Sequence, residues 1–211
     1  VQTQKLLILF VALVWSLDTF AQIVMAADDD TALDNYYVSR SEDDAEEGTN
    51  GEVDLANEDL DLGQLSGFES AAKIGIRFDG IRMHNERKIE RAFVQFTMEG
   101  NRIKSKPTTL TIRAELSPDA ESFKKDAKNI SSRELTKESV TWSPEPWDPK
   151  RARDEKPQTP DLSALIQEVV DQTDWVEGNA LVFIISGEGE RDAVSFDGDR
   201  KNAPMLYLVT D

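Results

Sequence analysis

Three stretches of this chain, Lys73–Phe78, 91–98 and 109–115, carry apolar side chains at every second position: Ile74, Ile76 and Phe78, then Ala92, Val94 and Phe96, then Leu110, Ile112 and Ala114. A period of two lines one face of a strand, whereas a helix would scatter the same residues around its axis. These stretches therefore commit the chain to sheet, with one face of each strand on a core. Val140–Trp142, 180–186, 193–196 and 205–209 extend the set, and 180–185 is apolar on both faces, which predicts a central strand. Val53, Leu55, Leu60 and Leu62 alternate with polar residues, as in half-buried strands with one solvated face. One helix is expected: Thr159 can cap it, Pro160 suits its first position, and Leu162, Leu165, Ile166, Val169 and Val170 fall at helical spacing. Residues 143–160, with five prolines and many charges, read as a long loop. Many short strands and one helix predict a mainly β fold, an antiparallel β-sandwich of the jelly-roll kind with one amphipathic helix.

The N-terminus has a different logic. Lys5 precedes an apolar run over 6–17, about 12 residues against the roughly 20 that span a bilayer. Small residues follow, so 1–26 reads as a signal peptide cleaved after Ala21 or Ala26. Residues 27–35 are expected to be a flexible acidic leader, and 36–211 a single domain that is secreted or held at the cell surface and meets the membrane only transiently during export. The sequence contains no cysteine, which excludes disulfides and thiolate zinc sites. Of a net charge of −17, most comes from residues 28–62, where 14 carboxylates stand against Arg40 alone. A nucleic-acid binder needs the opposite sign, so nucleic acid is not an expected partner.

Several phrases, read together, resemble a jelly-roll module of large secreted and cell-surface bacterial proteins, related in architecture to carbohydrate-binding modules. They are Asp43-Asp44-Ala45-Glu46-Glu47, Ile74-Gly75-Ile76-Arg77-Phe78, Ala92-Phe93-Val94-Gln95-Phe96-Thr97, Asn129-Ile130-Ser131-Ser132-Arg133, Val140-Thr141-Trp142-Ser143-Pro144, Thr159-Pro160-Asp161-Leu162-Ser163, Gly178-Asn179-Ala180-Leu181 and Phe196-Asp197-Gly198-Asp199. The resemblance implies a β-sandwich often joined to other modules, calcium in its structural relatives, and a polysaccharide or surface role.

Calcium is the cofactor expected from the residues as well, because hard cations take roughly six to eight oxygens and acidic loops supply them. The candidate ligands are Asp43, Asp44, Glu46 and Glu47 in one cluster and Asp197 and Asp199 in another, two clusters that meet if the first and last strands are neighbours. The alternative is that 43–47 is a solvated strand edge and Asp197-Gly198 an ordinary turn. For polysaccharide, an aromatic face stacked on a sugar ring is the usual recognition element. Trp147, in the proline-rich loop, leads Trp142 and Trp175 as the candidate. A second function class is a self-assembling fibre or matrix subunit, in which Tyr36, Tyr37 and Val38 form a strand that pairs with the sheet edge of another copy. Catalysis is not expected. The single histidine, His84, would have to serve every serine-type triad, and nothing singles out the carboxylate pair of a glycoside hydrolase or lyase. The expected function is thus an exported, non-catalytic module that binds extracellular polysaccharide, stabilised by calcium, with the self-assembling subunit as the alternative.

Overall fold

The computed structural model describes residues 32–63, 73–84, 86–100, 103–152 and 155–211. The expected export segment, 1–26, and the first part of the expected acidic leader lie outside them. Among the described residues eleven strands form, namely β1 (Ala32–Tyr37), β2 (Asp44–Glu47), β3 (Val53–Asp54), β4 (Asp59–Leu62), β5 (Lys73–Phe78), β6 (Ile89–Gln95), β7 (Thr109–Ala114), β8 (Val140–Trp142), β9 (Leu181–Glu188), β10 (Arg191–Val194) and β11 (Met205–Thr210), with one helix, α1 (Ser163–Val170). Their pairings are antiparallel, in a six-stranded sheet of order β3-β2-β5-β9-β7-β8, a three-stranded sheet β1-β11-β6 and a two-stranded sheet β10-β4. The mainly β class with one helix is the one the alternation predicts.

β9 is central, between β5 and β7, as its two apolar faces require. Phe183 and Ile185 join the main core with Ile74, Ile76 and Phe78 of β5, Leu110 and Ile112 of β7, Leu206 and Leu208 of β11, and the buried stripe of α1. Val182 and Ile184 point the other way, into a smaller cluster with Ala45, Ala120, Phe123 and Ile130. The segment carrying Ala120, Phe123 and Ile130 thus covers the second face of the large sheet.

Two boundaries differ from expectation, each because a backbone group finds a better partner. β1 begins at Ala32, inside the expected leader, since residues 32–37 pair in register with β11 from Thr210 to Met205. Ladder hydrogen bonds are indifferent to side-chain polarity, so a polar segment still makes an edge strand. The helix starts at Ser163 rather than at Pro160. Thr159 instead exchanges bonds with β6, its amide donating to the Val94 carbonyl at 3.0 Å and its Oγ1 accepting from the Val94 amide at 3.1 Å. The N-cap position falls on Leu162, and Asp161, just before it, accepts from the Ser163 amide through Oδ1 at 3.0 Å.

Packing requires a glycine at position 75. A Cβ on Gly75, in β5, would stand 2.3 Å from Cζ of Phe123. The ring cannot retreat, because the Arg133 guanidinium lies over it at 4.3 Å from its centroid. Gly75→Ala should therefore lower stability by about 1–3 kcal/mol through overpacking, read as an earlier midpoint in chemical denaturation. Lys73→Ala, on the same strand but exposed, should stay within about 0.5 kcal/mol of the parent.

Candidate functional site

The three tryptophans proposed for sugar stacking are core residues, with Trp142, Trp147 and Trp175 only 6, 2 and 5 % exposed. Trp142 stacks on Phe96 at 5.6 Å between centroids, and Trp147 tilts against both rings at 6.1 and 6.4 Å. Trp175 Nε1 donates to the Met83 carbonyl at 2.8 Å. None presents a face to a ligand, which corrects the expectation of a Trp147 platform. The physical reason is that a long loop on a β protein can fold back and anchor itself by burying an indole, and such burial contributes about 2–3 kcal/mol. The expected assembly strand is also engaged within its own chain. Tyr36 is buried with its hydroxyl accepting from the Arg82 amide, and the Val38 amide donates to the Pro204 carbonyl, whereas Tyr37 is exposed.

The two acidic stretches are joined at their flanks. Asp44 Oδ2 accepts from the Phe196 amide at 2.7 Å, and Asp197 Oδ1 accepts from Ser41 Oγ at 2.9 Å. What brings them together is hydrogen bonding, and the oxygens assigned to a cation serve as acceptors instead. Asp43 Oδ1 pairs with Arg77 Nη1 and its Oδ2 with Arg40 Nε, both at 3.0 Å. Glu46 accepts from the Asp61 amide and from Asn57 Nδ2; Glu47 Oε2 accepts from the amides of Ile130 and Ser131, both at 2.8 Å. Asp199 accepts from the Lys201 amide and Asn202 Nδ2. Residues 43–47 are buried throughout, so the alternative of a solvated edge does not hold either.

A different trio comes together. Asp59 and Asp61 lie on β4, where the alternation that sends Leu60 and Leu62 into the core turns both carboxylates to the opposite face. β10 places Asp192 directly across from Asp61 in the antiparallel register. One carboxylate oxygen from each of Asp59, Asp61 and Asp192 lies within 4.8 Å of the other two, the one such acidic group among the described residues. Asp61 and Asp192 are only 3 and 7 % exposed, and Asp59 is half-buried. Asp192 Oδ2 pairs with Lys104 Nζ at 2.7 Å, while its buried Oδ1 has no hydrogen-bond partner. Burial, then the neighbouring carboxylates of Asp192 and Glu99, raises the pKa of Asp59 above its ordinary value.

The trio is held in place by a buried cation on the adjoining residue. The Arg191 guanidinium donates to the carbonyls of Glu145, Lys106, Glu190 and Pro144 at 2.7 to 3.1 Å, which ties the start of β10 to two loops. Asp59 also opens onto a cleft of about 420 Å³ lined by Asp54, Ala56, Asn57, Glu58, Asp59, Glu99 and Gly198. Gly198 is required at that wall, since a Cβ there would fall 2.0 Å from the Glu58 carbonyl oxygen. Reading 59–62 as a strand with one solvated face hides the trio. The signal that carries it is Asp59-Leu60-Asp61, two carboxylates on one face of a strand, but the sequence does not show that β10 would lay Asp192 across it.

Burial pushes the carboxyls of Asp44 and Glu46 up to about 7 each, against the pull of the Phe196 amide on Asp44 and of the Asp61 amide and Asn57 on Glu46. Unfolded, both would ionise near pH 4. The folded chain keeps protons that the unfolded chain has lost, so their contribution to stability is complete below about pH 4 and disappears as pH rises through about 7. Asp44→Asn keeps an acceptor for the Phe196 amide. It should reduce the loss of stability between about pH 5 and about pH 8 by up to about 3 kcal/mol, measured by denaturant unfolding at each pH; an unchanged pH profile would contradict the assignment.

No family model and no curated protein matches this chain, so the function is argued from the geometry of the site itself.

Proposed function

We propose that the chain is a non-catalytic module, working outside the cytoplasm, that binds a divalent cation, calcium above all, between Asp59, Asp61 and Asp192 and presents it in the adjoining cleft to extracellular polysaccharide. The observation that carries the reading is the in-register opposition of Asp61 and Asp192, both buried. Like charges directly across a strand pair destabilise it, and removing them from water adds to the cost. With Asp59 they make three carboxylates within reach of one ion, and Lys104, which pairs with Asp192, also serves Glu190. A divalent ion would place two positive charges among all three carboxylates.

All three donors are oxygens, which suits a hard cation and disfavours zinc or copper, whose protein sites draw on histidine and cysteine. Calcium's tolerance of irregular coordination fits a site made by two short strands rather than by a dedicated loop. Three carboxylates leave several of calcium's roughly six to eight positions to water or to ligand hydroxyls. The cleft beside Asp59, with Asp54, Asn57, Glu58 and Glu99 on its walls, gives a sugar access to those positions without a tryptophan platform. An export segment at 1–26, as the sequence is read, would carry the module to where calcium is abundant, and the resemblance to surface modules supports the same reading.

Melting of the full chain tests this directly. Calcium at about 100 times its dissociation constant should stabilise by about 2.7 kcal/mol, raising the melting temperature by roughly 5–10 °C over chelator for a chain of this size. Asp192→Asn should abolish that rise. Equal melting temperatures in calcium and chelator would overturn the cation reading, and calcium-independent retention on insoluble polysaccharide would overturn the presentation step.

A further inference from the structure

We propose that Lys104 is a competitor built into the cation site, so that an entering divalent ion displaces its ammonium from Asp192 onto Glu190 alone. This rests on the cation reading above and adds what sets the affinity. Lys104 Nζ lies 2.7 Å from Asp192 Oδ2 and 2.6 Å from Glu190 Oε1. Its side chain is only 14 % exposed, so the Coulomb interactions around it are weakly screened. A divalent ion that takes Asp192 as a ligand brings two positive charges within a few ångströms of that ammonium. The two cations cannot share the carboxylate without strong repulsion.

The geometry provides for the exchange. Lys104 exchanges both backbone hydrogen bonds with Trp147, at 2.8 and 3.1 Å, and the Trp147 indole is locked in the core. The backbone therefore stays where it is. The four-carbon stem carries a compact charge with freely rotating donors and can swing away from Asp192. Glu190 is the more exposed of its two partners and stands at the rim, which gives the displaced ammonium a place to remain. Binding is then an exchange of one bound ammonium for one divalent ion at Asp192, and the affinity is lower than the three carboxylates alone would give. Such a site fills at the high calcium of an extracellular medium and resists filling at low calcium.

Isothermal titration of calcium into the full chain and its Lys104→Met and Lys104→Arg variants is the test. Lys104→Met keeps the length of the stem and removes the charge, and should bind calcium at least tenfold more tightly. Lys104→Arg keeps a cation and should remain within about threefold of the parent. A second measurement needs no variant: labelling of Lys104 by an amine-reactive reagent, followed by mass spectrometry, should increase several-fold when calcium is added. Calcium binding by the parent with no tighter binding by a folded Lys104→Met, or with Lys104 labelling unchanged, overturns the competitor role and leaves the cation reading standing. Absence of calcium binding by both the parent and Lys104→Met overturns the cation reading itself, and this inference with it.

Discussion

A carboxylate removed from water costs several kcal/mol unless donors replace the water it gives up, and β2 removes three of them within the four residues Asp44-Ala45-Glu46-Glu47. Much of the surrounding structure answers that requirement. Glu47 collects the amides of Ile130 and Ser131, which pins the segment covering one face of the large sheet. Glu46 reaches the Asp61 amide and joins β2 to β4, and Asp44 reaches the Phe196 amide beyond β10. Asp43, just before the strand, anchors Arg77, whose Nε donates in turn to the Ala120 carbonyl at 2.8 Å. In a chain without cysteine, these hydrogen bonds and ion pairs serve as long-range cross-links, joining residues as far as 152 positions apart.

That economy distinguishes two kinds of buried acid. The carboxylates of 43–47 accept from amides, from Asn57 or from arginine of the fold itself, and a metal ion would have to break those bonds to bind. Asp59, Asp61 and Asp192 point at one another, and Asp192 keeps a buried oxygen without a hydrogen-bond partner. Closeness to other carboxylates is common to both groups. What separates the candidate cation site from the joints is the buried Asp192 oxygen that no hydrogen-bond donor meets, and this is why the denser acidic cluster is the weaker candidate.

Local pattern is enough to read β5 and β7 by their alternation, the central β9 by its two apolar faces, and α1, whose stripe of Leu165, Ile166, Val169 and Val170 is buried as helical spacing requires. It misreads β4, since the same alternation that sends Leu60 and Leu62 inward implies solvent for Asp59 and Asp61. Whether the second face of a strand is wet depends on what lies over it, and β10 and its neighbours lie far along the chain. The same limit applies to the acids of β2 and to Thr159, whose partner in β6 lies 65 residues away. Local pattern encodes which residues share a face; only the tertiary register decides what that face meets.

Trp147 shows how the two levels join. Composition offers it to a ligand because it stands in a loop stiffened by prolines, yet its indole packs on Phe96 and Trp142, and its backbone is paired with Lys104. Burying the ring contributes about 2–3 kcal/mol, whereas a partly exposed ion pair such as Lys104 with Glu190 contributes about 1 kcal/mol or less. Apolar packing outweighs the ion pair, so it decides where the backbone of Lys104 sits, and the electrostatics of the cleft adapt through the side chain. A charge held in that way is fixed at its root and mobile at its tip. The residue that looks most like a binding platform therefore acts one step further in, as the anchor that sets where a neighbouring charge can reach.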